Sequence, residues 1–252
     1  MKVKMIVLFV CSYLVFMVVT LPAKTIHYFL PDNVGVKAIN LTGTIWNGQA
    51  AQVTYQRTYQ LNNLTWSVDW LALFSLNAKL DIAFDNGAHG MSGKGAVIAG
   101  VSGVRVENMV IDSTATEILA LANLNLPVQV HASGNVSLVI KEAQQGTPYC
   151  QTLDATLNWQ QANVNSDFGP LNLNNAMIDL SCEEGMVLAD LTQHSDQLVS
   201  NVHVQLKENN IYQLNGTVKG ESKLDPSIAQ MLPMIGPRNS EGGYPFTFSG
   251  RL

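Results

Sequence analysis

Strict alternation of apolar and polar side chains constrains this chain more than any other feature. Residues 75–84 read SLNAKLDIAF, with every second side chain apolar, and residues 66–70, WSVDW, alternate in the same way. Successive side chains of a strand point to opposite faces of a sheet, so period two over ten residues predicts a half-buried antiparallel strand. Five apolar side chains of these two stretches are predicted to line one face of a sheet: Trp66, Val68, Trp70, Leu76 and Leu80.

Turn sequences separate further strand-like stretches along the chain. The opening stretch 41–50, LTGTIWNGQA, predicts a hairpin centred on Asn47-Gly48, because a type I′ turn needs positive φ at both central positions. Ser102-Gly103 marks another hairpin, and Gly134-Asn135 is predicted to divide two strands. The glycines at 43 and 48 are thus interpreted as part of a sheet bend, not a ligand-cradling loop.

Two short stretches have helical features. Residues 112–127 begin with Ser, Thr and Asp, space Ile and Leu at helical intervals, and end at Pro127. Residues 225–235 place Asp225 as N-cap and Pro226 at the first helical position. Each half of the chain then runs strands, short helix, strand. We therefore predict two β-rich halves, 25–145 and 146–252, with the boundary in 141–149.

The N-terminal segment determines the predicted compartment. Residues 5–21 contain no charge and follow Lys2 and Lys4. As a helix they span roughly 25 Å, the short end for a membrane crossing. A cleaved signal peptide needs a small residue at −3, where Leu21 would stand if Ala23 ended the signal. An uncleaved signal anchor over residues 1–24 is favoured, with cleavage left open. The positive charges predict a cytoplasmic N-terminus and export of the remainder.

Charge argues against nucleic acid as a partner. The net charge is −5, and removing Lys2 and Lys4 from the 14 basic residues leaves 12 against 19 acidic ones. A polyanion would be repelled by this body, and no Lys/Arg cluster offers a local exception.

Motifs for catalysis, metals and cofactors are missing from the sequence. The glycine-rich stretch 90–97, GMSGKGAV, does not match a P-loop. If Gly93-Lys94 were the Gly-Lys of that motif, the first glycine would fall at position 88, which is Ala88, and the Ser/Thr at position 95, which is Gly95. The five histidines are scattered, and no Cys/His pair has zinc spacing. We therefore predict no catalytic, metal or cofactor-binding residue, and an enzyme is the least favoured class.

Cysteine placement agrees with export. Cys11 lies inside the apolar run, whereas Cys150 and Cys182 lie in the body of the chain. An even pair in an oxidising compartment predicts a disulfide, the alternative being two buried free thiols.

Several of these features, in order, resemble a known family. They are the W-N-G hairpin after the anchor, the W-x-V-x-W strand, the pair Cys150 and Cys182, and the ending IYQLNGTVKG…GYPFTFSGRL. Together they resemble protein N of the bacterial type II secretion system over essentially the whole chain. The resemblance implies a single-pass inner-membrane accessory subunit with a periplasmic β-rich domain. Such a subunit would associate with the inner-membrane platform of the secretion system and support export of folded proteins from the periplasm. No catalytic residue is implied.

The resemblance also bears on the fold and on a second function. That family is similar to AsmA-like proteins, which implies a mainly β chain: a transmembrane helix, then a curved antiparallel sheet forming a groove or β-roll, with two short helices. The apolar set Trp66, Val68, Trp70, Leu76 and Leu80 then either forms the core or lines a groove for an acyl chain. A lipid- or hydrophobe-binding protein is the alternative hypothesis.

Overall fold

Thirteen antiparallel strands form one open sheet in which each strand pairs only with its neighbours in sequence. The computed structural model describes residues 2–26, 35–56, 59–73, 77–88, 90–101, 103–122 and 129–251. The strands are β1 Val36–Gly43, β2 Asn47–Tyr55, β3 Tyr59–Asp69, β4 Asn77–Asp85, β5 Ser92–Gly100, β6 Gly103–Thr114, β7 Val130–Gln145, β8 Cys150–Ser166, β9 Gly169–Glu183, β10 Met186–His194, β11 Leu198–Lys207, β12 Ile211–Gly220 and β13 Tyr244–Arg251. The prediction of a mainly β, antiparallel fold is confirmed.

Two short 3₁₀ helices, Ala23–Thr25 and Glu208–Asn210, and five α-helices accompany the sheet in the described part of the chain: α1 Lys2–Val19, α2 Trp70–Leu73, α3 Ala115–Ala122, α4 Pro226–Ala229 and α5 Leu232–Ile235. Helix α3 begins with a side-chain N-cap, in which the Thr114 hydroxyl accepts from the Glu117 N–H, and the Glu117 carboxylate accepts from the Ser113 hydroxyl. The Asp225 carboxylate caps α4 by accepting from the Ser227 N–H at 2.8 Å. Both predicted helices therefore form, although residues 123–127 of the first lie outside the described chain.

Helix α1 covers 18 residues at the start of the chain. Counting only the described residues, no helix is both long and apolar enough to cross a membrane. The predicted signal anchor stays a prediction.

Strand register carries apolar side chains across the sheet in continuous rows. The longest row joins β4 to β13 and consists of Phe84, Gly93, Ile111, Leu138, Leu157, Ile178, Leu191, Val202, Gly216 and Phe246. The adjacent row on the same side joins β6 to β13: Met109, Ile140, Ala155, Leu180, Ala189, Val204, Leu214 and Phe248. We call the side of the sheet that carries these two rows the apolar face.

The opposite side, the polar face, carries the intervening side chains. Its corresponding row from β5 to β13 reads Ser92, Asp112, Ser137, Asn158, Met177, Thr192, Asn201, Thr217 and Pro245. Alternation along each strand thus separates one apolar from one wettable surface, as expected of an antiparallel sheet with one solvated side.

Residues with a left-handed backbone conformation interrupt several strands. They are Asn40, Asn63, Asn108, Gln161 and Asn174, with φ between 49° and 60°. Asparagine tolerates this conformation better than most residues, and the extra residue of a bulge bends its strand. Register shows such a bulge at Gln161, because Gln160 pairs with Asn175 but Ala162 pairs with Asn174. These bends were not predicted from the sequence.

Two predicted turns are corrected by the structure. The 41–50 hairpin forms, but Asn47 and Gly48 begin β2, and the chain reverses between paired Gly43 and Gly48. Gly43 supplies the positive φ, 83°, and a Cβ on Gly48 would lie 2.5 Å from the Trp66 ring. Gly134 does not divide two strands either: it has φ 110° inside a continuous β7, where the register shifts. A bulge therefore takes the place of the expected turn.

Candidate functional site

The apolar face is the dominant surface feature of the sheet. Neither of its two defining rows contains a charged or hydrogen-bonding side chain, and the longer row extends over ten strands. Nine strand spacings correspond to roughly 43 Å. Most of its large side chains, such as Leu138, Leu157 and Leu191, are only half-buried. A sheet packed against a second layer would bury them fully, so this face is covered only in places.

Short helices cover one end of the apolar face. Helix α3 packs on β7 and β6, leaving a cavity of about 270 Å³ whose lining includes Ile118, Val136 and Trp159. Farther along the sheet, Leu232 of α5 lies close to Gly220 of β12. The strand ends near Thr114 and Gly220 are therefore partly covered by helices, while the middle of the apolar face stays uncovered.

The sequence-predicted groove residues separate into two groups. Trp66 is buried in a cluster with Ala23, Leu41 and Ala50, and Leu80 packs against that cluster. Val68 is half-buried and pairs directly with Leu80. Leu76 lies outside the described residues.

Trp70 belongs to a different environment. It begins α2 beyond the end of β3, and 45% of it is exposed. Its ring stacks on Trp46 with centroids 5.0 Å apart. The structure thus brings Trp66, Val68 and Leu80 together and sets Trp70 apart from them.

The junction between α1 and the sheet was not predicted from the sequence. The Trp46 Nε1–H donates to the Val18 carbonyl at 2.8 Å, and the Ile45 N–H donates to the Leu21 carbonyl at 3.0 Å. Pro22 forms a bridge with Thr44. Successive residues of the β1–β2 turn, from Thr44 to Trp46, thus contact successively earlier residues of the chain, from Pro22 back to Val18 in α1. The helix therefore leaves the sheet at the strand end that carries this turn.

Helix α1 presents apolar side chains in all directions. From Met5 to Val18, its large apolar side chains are between 47% and 74% exposed, with Leu8 and Phe9 the most open. A helix that is apolar all round is normally buried in a protein core or in lipid. Helix α1 finds no such core in the described chain.

Cys150 and Cys182 form a disulfide that joins the beginning of β8 to the end of β9, with Cα atoms 6.2 Å apart. This prediction is confirmed. Cys11 is free and exposed on α1.

Charged side chains form exposed pairs rather than a reactive cluster. The Lys223 ammonium donates to Asp196 at 2.6 Å; this hydrogen bond and the charge attraction lower the pKa of Asp196 and raise the pKa of Lys223. His203 Nδ1 lies 2.7 Å from Asp190 on the polar face. Within the described residues, no three His, Cys, Asp or Glu side chains are grouped to hold a metal.

The polar face contains a shallow concavity of about 610 Å³ across β8–β11. Amide and hydroxyl side chains dominate its lining, among them Asn158, Asn175, Thr192 and Asn201. Its chemistry is that of a neutral, hydrated surface.

Fold and site together define a class: an open, single-layer antiparallel sheet protein with an apolar N-terminal helix fastened to its first hairpin. The sequence matches the family model described as type II secretion system, protein N, over residues 34–247. The chain belongs to this family, which places it among the components of the type II secretion system.

Curated relatives cover nearly the full length. Type II secretion system protein N of Vibrio cholerae is 32% identical over 236 residues, covering 93% of this chain and 92% of the relative. The protein of the same name from Aeromonas hydrophila is 28% identical over 254 residues, covering 100% and 99%. That of Pectobacterium carotovorum is 27% identical over 243 residues, covering 96% and 94%. No solved structure matches the chain significantly.

Proposed function

We propose that this chain is an inner-membrane accessory component of the type II secretion system that supports export of folded proteins from the periplasm across the outer membrane. Family membership supports the assignment to the type II secretion system, and the apolar helix α1 supports the membrane location. The protein acts by binding other subunits of the inner-membrane platform and carries out no catalysis. The exposed apolar surface of α1 is the observation on which the proposal chiefly rests.

The proposed topology is single-pass. Helix α1 lies in the inner membrane with Lys2 and Lys4 on the cytoplasmic side, following the bias of positive charge toward the cytoplasm. The sheet then lies in the periplasm, an oxidising compartment that suits the Cys150–Cys182 disulfide. Alkaline phosphatase fused after Leu252 tests this arrangement: we expect an active fusion, and an inactive but stable fusion would contradict the topology.

Deletion of the gene tests the secretion role. We expect secreted enzymes to accumulate in the periplasm, with release restored by the wild-type chain. Release that is unchanged by deletion, with normal assembly of the inner-membrane platform, would overturn the proposal.

Acyl-chain binding on the apolar face is the second candidate function. The two uncharged rows favour acyl-chain binding, because covering a half-buried apolar surface of this length removes it from water and lowers the free energy. The cavity under α3 adds an open apolar depression beside Leu157. Trp66, Val68 and Leu80 extend the apolar surface on the earlier strands, and Leu76 belongs to the same proposed set.

Lipid analysis of the purified protein tests the second candidate. Leu191→Asn places an amide on the apolar face, and Thr192→Asn makes a matched change on the polar face of the same strand. We expect mass spectrometry to find copurified lipid in the wild type and Thr192→Asn, and a clear loss in Leu191→Asn. Equal lipid content in both variants would contradict it.

A further inference from the structure

The strand ends next to α1 include the β5–β6 turn. In register, Asn47 pairs with Ser67, Ser67 with Asp81, and Asp81 with Ala96. Strand β5 continues four residues beyond Ala96, to Gly100, in the direction in which α1 leaves the sheet. At strand rise this places the β5–β6 turn roughly 13 Å farther out than the start of β2.

This turn carries apolar side chains where turns usually carry polar ones. Val101 is 90% exposed and Val104 is 43% exposed. Gly103 supplies the positive φ of the reversal, 99°, so the valines are not required by the backbone geometry. Val101 faces solvent almost completely, and Val104, the second residue of β6, is partly exposed beside it.

Aromatic side chains occupy the same end of the sheet. Trp46 and Trp70 stack on each other beside the last turn of α1, with Trp70 half-exposed. Tryptophan is enriched where a membrane meets water, because its ring is apolar and its N–H is polar. Three strand spacings, roughly 14 Å, separate β3 from β6. One patch of bilayer surface can therefore contact both the tryptophans and the valine turn.

We infer that the β5–β6 turn is a second membrane contact, in which Val101 and Val104 insert into the bilayer surface beside the Trp46–Trp70 stack. The partner is the lipid bilayer into which the proposed function places α1, so the inference rests on that placement. Nearby charge is compatible with this arrangement, because the Arg105 guanidinium next to Val104 is paired with Glu107 at 3.2 Å. The sheet then meets the membrane at two points, which fixes its orientation.

Lipid quenching of a site-specific label tests the contact in the full-length protein. Three versions of the protein, each with a fluorescent label on one cysteine thiol, are reconstituted into vesicles of phosphatidylethanolamine and phosphatidylglycerol. The vesicles contain nitroxide-labelled lipid, which quenches a fluorophore that contacts the bilayer. The first carries the label on the native Cys11; the second and third carry it on Val101→Cys and Phe168→Cys in a Cys11→Ser background. Phe168 is the matched control, because it is exposed in the β8–β9 turn at the opposite strand end.

We expect the labels at 11 and 101 to lose fluorescence and the label at 168 to keep it. Quenching at 11 without quenching at 101 would overturn this inference and leave the proposed anchoring intact. No quenching at 11 would overturn the anchoring itself, and the second contact with it. Quenching at 168 equal to that at 101 would also overturn the inference, since the strand ends would then not differ.

Discussion

Trp46 connects the helix to the sheet through one ring. Its N–H bonds to the last turn of α1, and its face stacks on Trp70. The sequence predicted a hairpin at this tryptophan. It could not predict the bond to Val18, because the partner is a backbone carbonyl 28 residues earlier that carries no side-chain signal.

Replacing Trp46 by Phe should loosen the junction while keeping a stacked ring. Loss of one hydrogen bond costs about 1 kcal/mol, which corresponds to roughly a fivefold increase in local opening. Trypsin cleavage after exposed Lys24 measures this opening. Trp70→Phe, which keeps the Trp46 bond to Val18, is the control, and equal cleavage rates of the two variants would contradict the assigned role of the bond.

Removing the disulfide should destabilise the sheet. Cys150 and Cys182 are 32 residues apart, and a closed loop of this length stabilises a protein by roughly 3.5–4 kcal/mol in the chain-entropy model. The variant Cys150→Ser/Cys182→Ser should unfold at lower urea concentration than Cys11→Ser, which retains the bridge. Matching midpoints would show that the bridge contributes nothing to stability.

At the scale of single strands, alternation predicted the faces correctly but missed the bends. Alternation places Val136, Leu138 and Ile140 on one face of β7, and the last two lie in the rows of the apolar face. The bends do leave a trace in the sequence. Apolar spacing widens from two to three residues across Asn63, between Leu61 and Leu64, and across Asn108, between Val106 and Met109.

Asn108 offers a direct test of the bulges. It is exposed and has φ 49°, a conformation that a β-branched side chain adopts only at a cost of about 1–3 kcal/mol. Asn108→Val should therefore lower the urea midpoint, whereas Asn108→Gly should leave it nearly unchanged. If the valine variant were as stable as the glycine variant, the left-handed backbone at this position would be incorrect.

At the scale of the whole molecule, the described residues form one sheet whose edge strands are β1 and β13. The sequence predicted antiparallel strands and a related order of elements in the two halves, and the division at 141–149 stays a prediction. The family resemblance implied an antiparallel sheet, but the strand order was not predicted, because periodicity reports which side of a strand is buried and not which strand lies beside it. Neighbour-only pairing is visible only in the register.

Pro245 disfavours the addition of another strand at one of these edges. It lies in β13, the last strand, and proline has no N–H to offer a further strand. Pro245→Thr should increase self-association, measured by light scattering at increasing protein concentration. Thr247→Val, on the same side of the same strand, is the control for side-chain hydrophobicity. Unchanged scattering of Pro245→Thr would show that the proline does not protect the edge.

Pairing between successive strands alone has a consequence for biogenesis. Every hairpin contains all the partners it needs within a short length of chain, so closing it costs little loop entropy. A polypeptide threaded through a narrow channel from its N-terminus can add β2 to β1, β3 to β2, and so on as each emerges, without waiting for the C-terminal residues. The order of synthesis is also the order of assembly.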